Sequence, residues 1–336
     1  MNFKKSILEF GLSIVVLHVV AIGLLVTAIP HHPTLLGLGV LAYTFGLRHA
    51  FDADHIAAID NTVRKLRQEE KNPIGVGFYF SLGHSTIVII MAIVTAFAVH
   101  WAQKSIPALQ NIGGILGTSI SAVFLFLIGI INLFVLMNIY KVFKEMRTTS
   151  LNEAEFEEVL LSRGFISRMI GPLFKLVNKS WHIYPIGVLF GFSFDTASEV
   201  ALLAISAGAA KNAIPFTGVL ALPLLFSAGM SLMDTADGLF MTTAYHWAFA
   251  TPIRKVYYNL TVTGLSVVAA LVIGMIEVLQ VLAPEMGLNQ GFWAWVQNLD
   301  FGTIGCMLVG MFVVTWTVSY GIWKFYRIEQ RWSATN

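Results

Sequence analysis

Histidine and aspartate side chains lie close together in one short stretch of the chain, GLRHAFDADHI. The stretch contains His49, Asp52, Asp54 and His55. On a helix with about 100° per residue, His49, Asp52 and His55 fall within an arc of about 120°, so two nitrogens and one oxygen can converge. Asp54 lies on the neighbouring flank and reaches the same point if the helix unwinds near its glycine. Two imidazoles with carboxylates, and no thiolate, suit a borderline divalent ion such as Ni²⁺, Co²⁺ or Zn²⁺, whereas Mg²⁺ prefers oxygen ligands.

Three further stretches carry polar side chains between apolar residues: SLGHST, FDTASE and GMSLMDTADG. The histidine of the first is expected either to bind an ion or to orient a residue that does. The acids of the other two are expected either to bind the ion or to carry protons or charge along its path. In the second stretch the acids share a helical stripe with two preceding glycines, which permits close approach of another helix. The candidate site residues in these stretches are His84, Ser85, Thr86, Asp195, Glu199, Asp234 and Asp237.

The composition indicates a membrane protein. Of the 336 residues, 56% are hydrophobic and 12% are charged, whereas soluble domains have about 45–50% and about 25%. This composition excludes a disordered chain, a coiled coil, a collagen-like fibre and an ordinary soluble enzyme. A net charge of +2 is too small for a nucleic-acid binder, so no nucleic-acid partner is expected. The single cysteine, Cys306, excludes an intrachain disulfide and a cysteine-based metal site.

A helix that crosses a bilayer needs about 20 largely apolar residues, and the chain contains eight such segments. We therefore predict an all-α fold, a polytopic membrane protein with eight transmembrane helices in a single domain, residues 1–336. Helices 1–4 fall in residues 1–143 and helices 5–8 in residues 183–336, with a cytoplasmic loop at 144–182 that we interpret as a solvated connector. The segments are residues 7–29, 35–59, 74–99, 112–143, 183–210, 216–249, 257–282 and 301–325.

The loop charges predict the orientation of these segments. An even number of segments places both termini on one side, and that side carries 18 of the 21 Lys and Arg residues, Arg64 and Lys65 among them. The other side carries only Lys104 and Lys211. Cytoplasmic loops are enriched in Lys and Arg. Both termini are therefore expected in the cytoplasm, and the protein in the cytoplasmic (inner) membrane.

Ionisable residues inside the segments are energetically costly. Insertion scales give about 2.5–3.5 kcal/mol for each such group, so the six acids of the four stretches would together cost on the order of 15–20 kcal/mol if unpaired. Arg48 can pair with only one of them, and we interpret it as a structural counter-ion rather than a gate. The other acids must contact water, protons or a cation. Asp60 and Glu277, in contrast, lie near segment ends and are expected to be solvated.

A sequence echo predicts an inverted repeat. A Phe-Asp pair followed by FSxGxS occurs in predicted helices 2 and 3 and again in helices 5 and 6, with 31 residues from Asp52 to Gly83 and 34 from Asp195 to Gly229. By the loop charges, helix 2 runs inward and helix 5 runs outward, so the echo is inverted. Inverted repeats are typical of secondary transporters, whose substrate sites lie at the repeat interface near the membrane midplane. We predict that helices 2–4 and 5–7 form the repeat.

The four polar stretches resemble the signatures of the nickel/cobalt transporter family, which includes the high-affinity nickel permeases of bacteria and some fungi. The family's helix 2 signature RHAxDADHI, with its HX4DH core, corresponds to Arg48–Ile56, and its LGHST signature corresponds to Leu82–Thr86. Its DTAxE element corresponds to Asp195–Glu199, and its GMxxxDTxDG element to Gly229–Gly238. All four occur in order, in the expected helices, across nearly the whole chain.

The resemblance implies uptake of Ni²⁺ or Co²⁺, or both, across the cytoplasmic membrane without an ATPase subunit. The metal is then the transported substrate, the lipid bilayer surrounds the protein, and no prosthetic group is expected. We interpret the chain as a secondary transporter in which the ion exchanges its water for His49, His55 and a subset of Asp52, Asp54 and His84. The acids of helices 5 and 6, together with Arg48, Ser85 and Thr86, would line its path.

Other functions stay open from the sequence. An intramembrane metalloenzyme is compatible with histidines and acids on several helices, although the chain has no HExxH, no paired ExxH and no Ser/His arrangement with a base. A cation channel would use rings of side chains in an oligomer rather than mixed imidazole ligands. The related efflux permeases often have a His-rich loop, whereas the loop at 144–182 contains only His182, which favours uptake.

Overall fold

Every regular element in the described part of the chain is a helix, as the apolar segments predict. The computed structural model describes residues 3–97, 115, 118–134, 136–137, 140, 177–191, 214–248 and 259–325. A single 3₁₀ turn and a single π turn accompany the α-helices of these residues, at Ser180–Ile183 and Asn259–Thr263. The helices, numbered in chain order, are α1 (Phe3–Ala28), α2 (Thr34–His49), α3 (Ala53–Gln68), α4 (Val76–Phe97), α5 (Thr118–Phe134), α6 (Tyr184–Phe190), α7 (Phe216–Ala248), α8 (Gly264–Glu285), α9 (Phe292–Gln297) and α10 (Phe301–Phe325).

Four of these helices are long and apolar enough to cross a membrane. The apolar stretches are Ser6–Ala28 in α1, Val76–Val94 in α4, Phe216–His246 in α7 and Gly264–Glu285 in α8. They correspond to predicted segments 1, 3, 6 and 7. The helix α10 has the bounds predicted for segment 8, and α5 lies within predicted segment 4. The described helices are therefore those of a multi-pass membrane protein.

Predicted segment 2 is not one continuous helix. The helix α2 ends at His49, the chain turns through residues 50–52, and α3 begins at Ala53. The residue before α3, Asp52, has the extended backbone typical of an N-cap, with φ −64° and ψ 142°. A second acid, Asp54, lies in the first turn, and its Oδ1 accepts a hydrogen bond of 2.9 Å from the backbone N–H of His55. A negative charge is favourable at this end of a helix, so the two aspartates define a helix start inside the predicted segment.

The helix α3 combines a polar sequence with nearly complete burial. All its residues from His55 to Leu66 are buried, because α4, α7, α8 and α10 pack around it. The prediction that Asp60 contacts water and that Arg64 and Lys65 are loop charges is wrong, since all three side chains are buried. Protein, rather than lipid or water, surrounds this helix, so its hydropathy does not report its depth in the fold.

Glu277 of α8 is also buried, with 3% of the residue exposed. Its Oε1 accepts a hydrogen bond of 2.7 Å from the hydroxyl of Ser121 in α5. The predicted contact of Glu277 with water is therefore wrong, because a second helix covers this side of α8.

Predicted segment 5 is described only at its start. The 3₁₀ turn leads into α6, and Pro185 lies in the first turn of that helix, where the missing N–H has no helical partner to lose. Residues 192–213 lie outside the described residues, and so do Lys104 and loop residues 144–176. The predicted site residues Asp195 and Glu199, and the loop residue Lys211, fall within that first range.

Glycines bring α2 and α7 into backbone contact. A Cβ atom on Gly46 of α2 would overlap the carbonyl oxygen of Phe226 in α7. In return, a Cβ atom on Gly229 of α7 would lie 2.6 Å from the carbonyl oxygen of Tyr43 in α2. Only glycine fits at either position without displacing the partner backbone.

The same reciprocal contact joins α4 and α6. A Cβ atom on Gly83 of α4 would overlap the carbonyl oxygen of Tyr184 in α6, and one on Gly187 of α6 would overlap the carbonyl oxygen of Phe80 in α4. Each pair of helices therefore crosses at two glycines, with no side chain between the backbones at those points.

We expect Gly46→Ala to destabilise the protein, because the added methyl group overlaps a carbonyl oxygen and overpacking costs about 1–3 kcal/mol. Gly37→Ala is the matched control: Gly37 is also in α2, but nothing lies within 4 Å of a Cβ there, and alanine favours a helix. Thermal unfolding of the purified protein in detergent should show a midpoint several degrees lower for Gly46→Ala and an unchanged or higher midpoint for Gly37→Ala. Equal midpoints would contradict the close contact.

Candidate metal centre

Three buried imidazoles meet where α2, α3 and α4 come together. His49 ends α2, His55 lies in the first turns of α3, and His84 lies near the middle of α4. One ring nitrogen of each lies within 4.8 Å of those of the other two, and His49 Nε2 is 3.0 Å from His84 Nε2. Two ligands about 2.1 Å from one ion and at right angles to each other are about 3 Å apart. The spacing of His49 and His84 therefore fits two ligands of one divalent ion, and the His55 imidazole lies next to them.

The break between α2 and α3 accounts for the contact between two of these rings. In a continuous helix, residues six positions apart are about 9 Å apart along the axis. The ring centroids of His49 and His55 are only 4.6 Å apart, in an edge-to-face arrangement. The unwound residues 50–52 thus bring the two imidazoles to one point.

Two carboxylates contact the Nδ1 atoms of these rings. Asp52 Oδ2 is 2.8 Å from His49 Nδ1, and both carboxylate oxygens of Asp234 are 3.4 Å from His55 Nδ1. A proton on Nδ1 that is donated to a carboxylate fixes the tautomer in which Nε2 can bind a metal. In this geometry Asp234 orients His55 by hydrogen bonding and Asp52 lies at ion-pair distance from His49, whereas the sequence had indicated Asp52 as a ligand and Asp234 as part of the path.

The His55 ring has a buried nitrogen without a hydrogen-bond partner among the described residues. His55 Nε2 is buried and makes no hydrogen bond to any described residue. Buried polar atoms nearly always have a partner, and a metal ion is one that an imidazole nitrogen in this tautomer can accept. His55 Nε2 is therefore the strongest single indication of a ligand position.

Aromatic rings enclose the centre. The Phe80 ring is perpendicular to that of His55, with 4.8 Å between centroids, and the Phe226 ring is 5.5 Å from that of His49. Both phenylalanines are fully buried, so the local dielectric constant is low and charge–ligand interactions are strong. These two phenylalanines were not among the predicted site residues, although each begins one of the two FSxGxS motifs, and the repeated motif was the signal that could have indicated them.

Asp54 and Arg48 have other contacts. Asp54 is half-buried, accepts the backbone hydrogen bond of His55, and is not part of the histidine group. Arg48 Nη2 is 2.9 Å from Asp300 Oδ1, and both side chains are 50% exposed. Asp300 also accepts hydrogen bonds from the hydroxyl and backbone N–H of Thr303 at the start of α10. The bond from the Thr303 hydroxyl is the main cause that lowers the pKa of Asp300, so its carboxylate is charged at neutral pH.

The remaining predicted residues lie around the three histidines on α4 and α7. Ser85 is buried, and its hydroxyl has no hydrogen-bond partner among the described residues. The Thr86 hydroxyl is bonded to the Leu82 carbonyl and is 3.1 Å from the Tyr184 hydroxyl, so it links α4 to α6. Asp237 follows Asp234 by one helical turn, and its buried Oδ2 also has no described hydrogen-bond partner.

Comparison with known proteins identifies relatives of the whole chain. Residues 35–322 match the NicO family model, which is described as high-affinity nickel-transport protein. The nickel transporter NixA of Staphylococcus aureus is 53% identical over 332 residues, covering 99% of this chain and 98% of the relative. The high-affinity nickel-transport protein NixA of Helicobacter pylori (strain 26695) is 50% identical, covering 95% and 98%. The cobalt transport protein NhlF of Rhodococcus rhodochrous is 40% identical, covering 91% and 88%. No solved structure matches the chain.

We expect His55→Ala to weaken Ni²⁺ binding at least about 100-fold, because one ligand is lost and the buried Asp234 carboxylate loses its partner. His246→Ala is the matched control, since His246 is an exposed histidine in the last turns of α7, away from the centre. Isothermal titration of the purified protein with Ni²⁺ should show this loss for His55→Ala and unchanged affinity for His246→Ala. Full affinity in His55→Ala would exclude His55 as a ligand.

Proposed function

Because the chain belongs to the family of high-affinity nickel-transport proteins, we propose that it imports Ni²⁺, or Co²⁺, through the buried histidine centre. The family assignment makes the chain a transporter rather than an enzyme, with the metal ion as its substrate. The observation that carries the proposal is the convergence of three buried imidazoles from three helices, one of them with an unpartnered nitrogen.

The chemistry of this centre suits the proposed substrate. Imidazole nitrogens bind Ni²⁺ and Co²⁺ well, whereas Mg²⁺ and Ca²⁺ prefer oxygen. The centre therefore selects against the more abundant cations. Asp52 and Asp234 supply negative charge next to the rings without occupying the ligand positions, so the ion's charge is balanced while the coordination stays nitrogen-rich.

The driving force needs no ATPase in this proposal. A membrane potential of 100 mV, negative inside, favours entry of each positive charge by about 2.3 kcal/mol, which is about 4.6 kcal/mol for a divalent ion. Release into the cytoplasm then requires that the ligands separate. Asp237, Asp195 and Glu199 are the acids that the ion would meet along the proposed path.

The proposed orientation in the cytoplasmic membrane places both termini inside. Because Arg64 and Lys65 are buried in α3, they do not count as loop residues. The proposed inner side still carries sixteen Lys and Arg residues, whereas the outer side carries two. This imbalance supports the orientation because cytoplasmic loops hold the excess of Lys and Arg. It also places the N-terminal end of α2, at Thr34, on the outer side of the membrane.

We further propose that helices 2–4 and 5–7 form an inverted repeat. The reciprocal glycine contacts support it, since Tyr43-x-x-Gly46 meets one FSxGxS motif and Tyr184-x-x-Gly187 meets the other. On this pairing Asp54, rather than the Asp52 of the sequence echo, corresponds to Asp195, since each lies eight residues after the glycine. The substrate site would lie at the interface of the two repeats, as in other secondary transporters.

Uptake of ⁶³Ni²⁺ into liposomes that contain only the purified protein tests the function. We expect saturable accumulation that increases when a potassium diffusion potential is set negative inside, because the potential acts on two charges per ion. His49→Ala should reduce uptake at least about tenfold, and His246→Ala should leave it unchanged. Uptake that is the same for either sign of the potential, or no uptake by correctly folded protein, would contradict import by this route.

A further inference from the structure

A second polar network lies in α3 beyond the metal centre. The Arg64 side chain is fully buried, nine residues after His55 and therefore about 13 Å further along the helix axis. Its Nη2 donates hydrogen bonds to Asp60 Oδ2 at 3.1 Å and Asn61 Oδ1 at 2.8 Å, and its Nη1 donates to the Thr263 carbonyl at 3.4 Å. None of these groups takes part in the histidine centre.

The network joins α3 to three other parts of the bundle. The Tyr245 hydroxyl of α7 donates to Asp60 Oδ1, and the Arg64 guanidinium lies 5.9 Å from the centre of the Tyr245 ring. Asn132 of the α5 helix donates to Asn61 Oδ1 at 2.9 Å. Thr263 precedes α8. We call Asp60, Asn61, Arg64, Tyr245 and Asn132 the Arg64 network.

The face of α7 links this network to the metal centre. With about 100° per residue, Asp234, Met241 and Tyr245 lie within about 40° of one another on α7, and Asp237 is about 60° from Asp234. Asp234 contacts His55 at one end of this face, and Tyr245 contacts Asp60 at the other. A cation that leaves the histidines along α3 and α7 therefore passes Asp237 and reaches Arg64.

A buried guanidinium on this route opposes the passage of a divalent ion. Like charges repel strongly where water is absent, since the effective dielectric constant is low. Both side chains of a second arginine pair, Arg48–Asp300, are 50% exposed, whereas the Arg64–Asp60 pair has no exposed surface. Of these two described pairs, the Arg64–Asp60 pair is the one shielded from the surface.

Stability alone does not account for this buried pair. The cost of removing two charges from water usually cancels most of the attraction between them, and apolar residues of similar volume are often as stable. On the premise of the proposed transport function, we infer that Arg64, held by Asp60, is the barrier that closes the path at the C-terminal end of α3. The pair has to separate before the ion leaves on that side.

Cysteine labelling tests the barrier. Met241 is 3% exposed and lies between Asp237 and Tyr245 on α7. The variant Met241→Cys in a Cys306→Ser background therefore reports access to the part of the route between the metal centre and Arg64. A thiol reagent that cannot cross the bilayer is added to the side that the C-terminal end of α3 faces. We expect Asp60→Asn/Arg64→Gln to raise the labelling rate at least about tenfold while Ni²⁺ affinity stays within about threefold. Arg64→Lys, which keeps the charge, should keep the low rate.

A cysteine at Ala42, which is fully buried in α2, is the packing control. Labelling at 241 but not at 42 supports the barrier. Unchanged labelling at 241 in the double variant, with Ni²⁺ affinity intact, overturns it, and labelling at both positions also overturns it because the pair is then structural. Absence of Ni²⁺ binding by the parent chain itself contradicts the proposed function, whereas the labelling comparison contradicts the barrier alone.

Discussion

The interruption of the backbone at residues 50–52 is the constraint on which the rest of the centre depends. It ends α2 at one histidine and starts α3 just before another, so two imidazoles that a straight helix would separate by about 9 Å lie edge to face. It also places an aspartate on each side of the new helix start, where Asp52 lies at ion-pair distance from His49 and Asp54 accepts a hydrogen bond from a backbone N–H. Irregular backbone at membrane depth is tolerated only inside protein. The break is therefore possible because α10 packs directly on it, with Gly305 against the Phe51 carbonyl.

Much of the site was predictable from residue types and spacing, and part of it was not. The histidine–aspartate stretch correctly predicted that His49 and His55 come together, and the polar stretch SLGHST separately indicated His84 as a ligand or an orienting residue. The spacing could not show which acid contacts which nitrogen, because Asp234 is 179 residues from His55 in sequence and only the packing of α7 on α3 joins them. The break itself has no glycine or proline to mark it. Its local signal was an aspartate followed by a second acid two residues later, which is typical of a helix start.

The errors in the fold have a single physical origin. Hydropathy ranks residues by transfer from water to lipid, so it ended the second segment before Asp60 and assigned Arg64, Lys65 and Glu277 to water. In the structure these side chains are buried against other helices and bonded to partners within the protein. A central helix of a membrane bundle contacts neither lipid nor bulk water, and its polar residues are stabilised by hydrogen bonds that one-dimensional patterns do not contain. The lipid-facing helices α1, α4, α7 and α8, by contrast, were predicted close to their observed bounds.

The glycine crossings have a mechanical consequence for the ligands. Where two backbones touch directly, no rotamer change can absorb a displacement. A third contact of this kind, between Gly77 of α4 and the Asp234 carbonyl of α7, joins the α2–α7 pair to the α4–α6 pair, so the four helices form one stiff frame. His49 lies on the α2–α7 pair and His84 on the α4–α6 pair, so this frame fixes the position of one ring relative to the other. Any displacement of one pair against the other has to open the contact between Gly77 and Asp234, and it changes the 3.0 Å separation of the two Nε2 atoms without a chemical change in either ring.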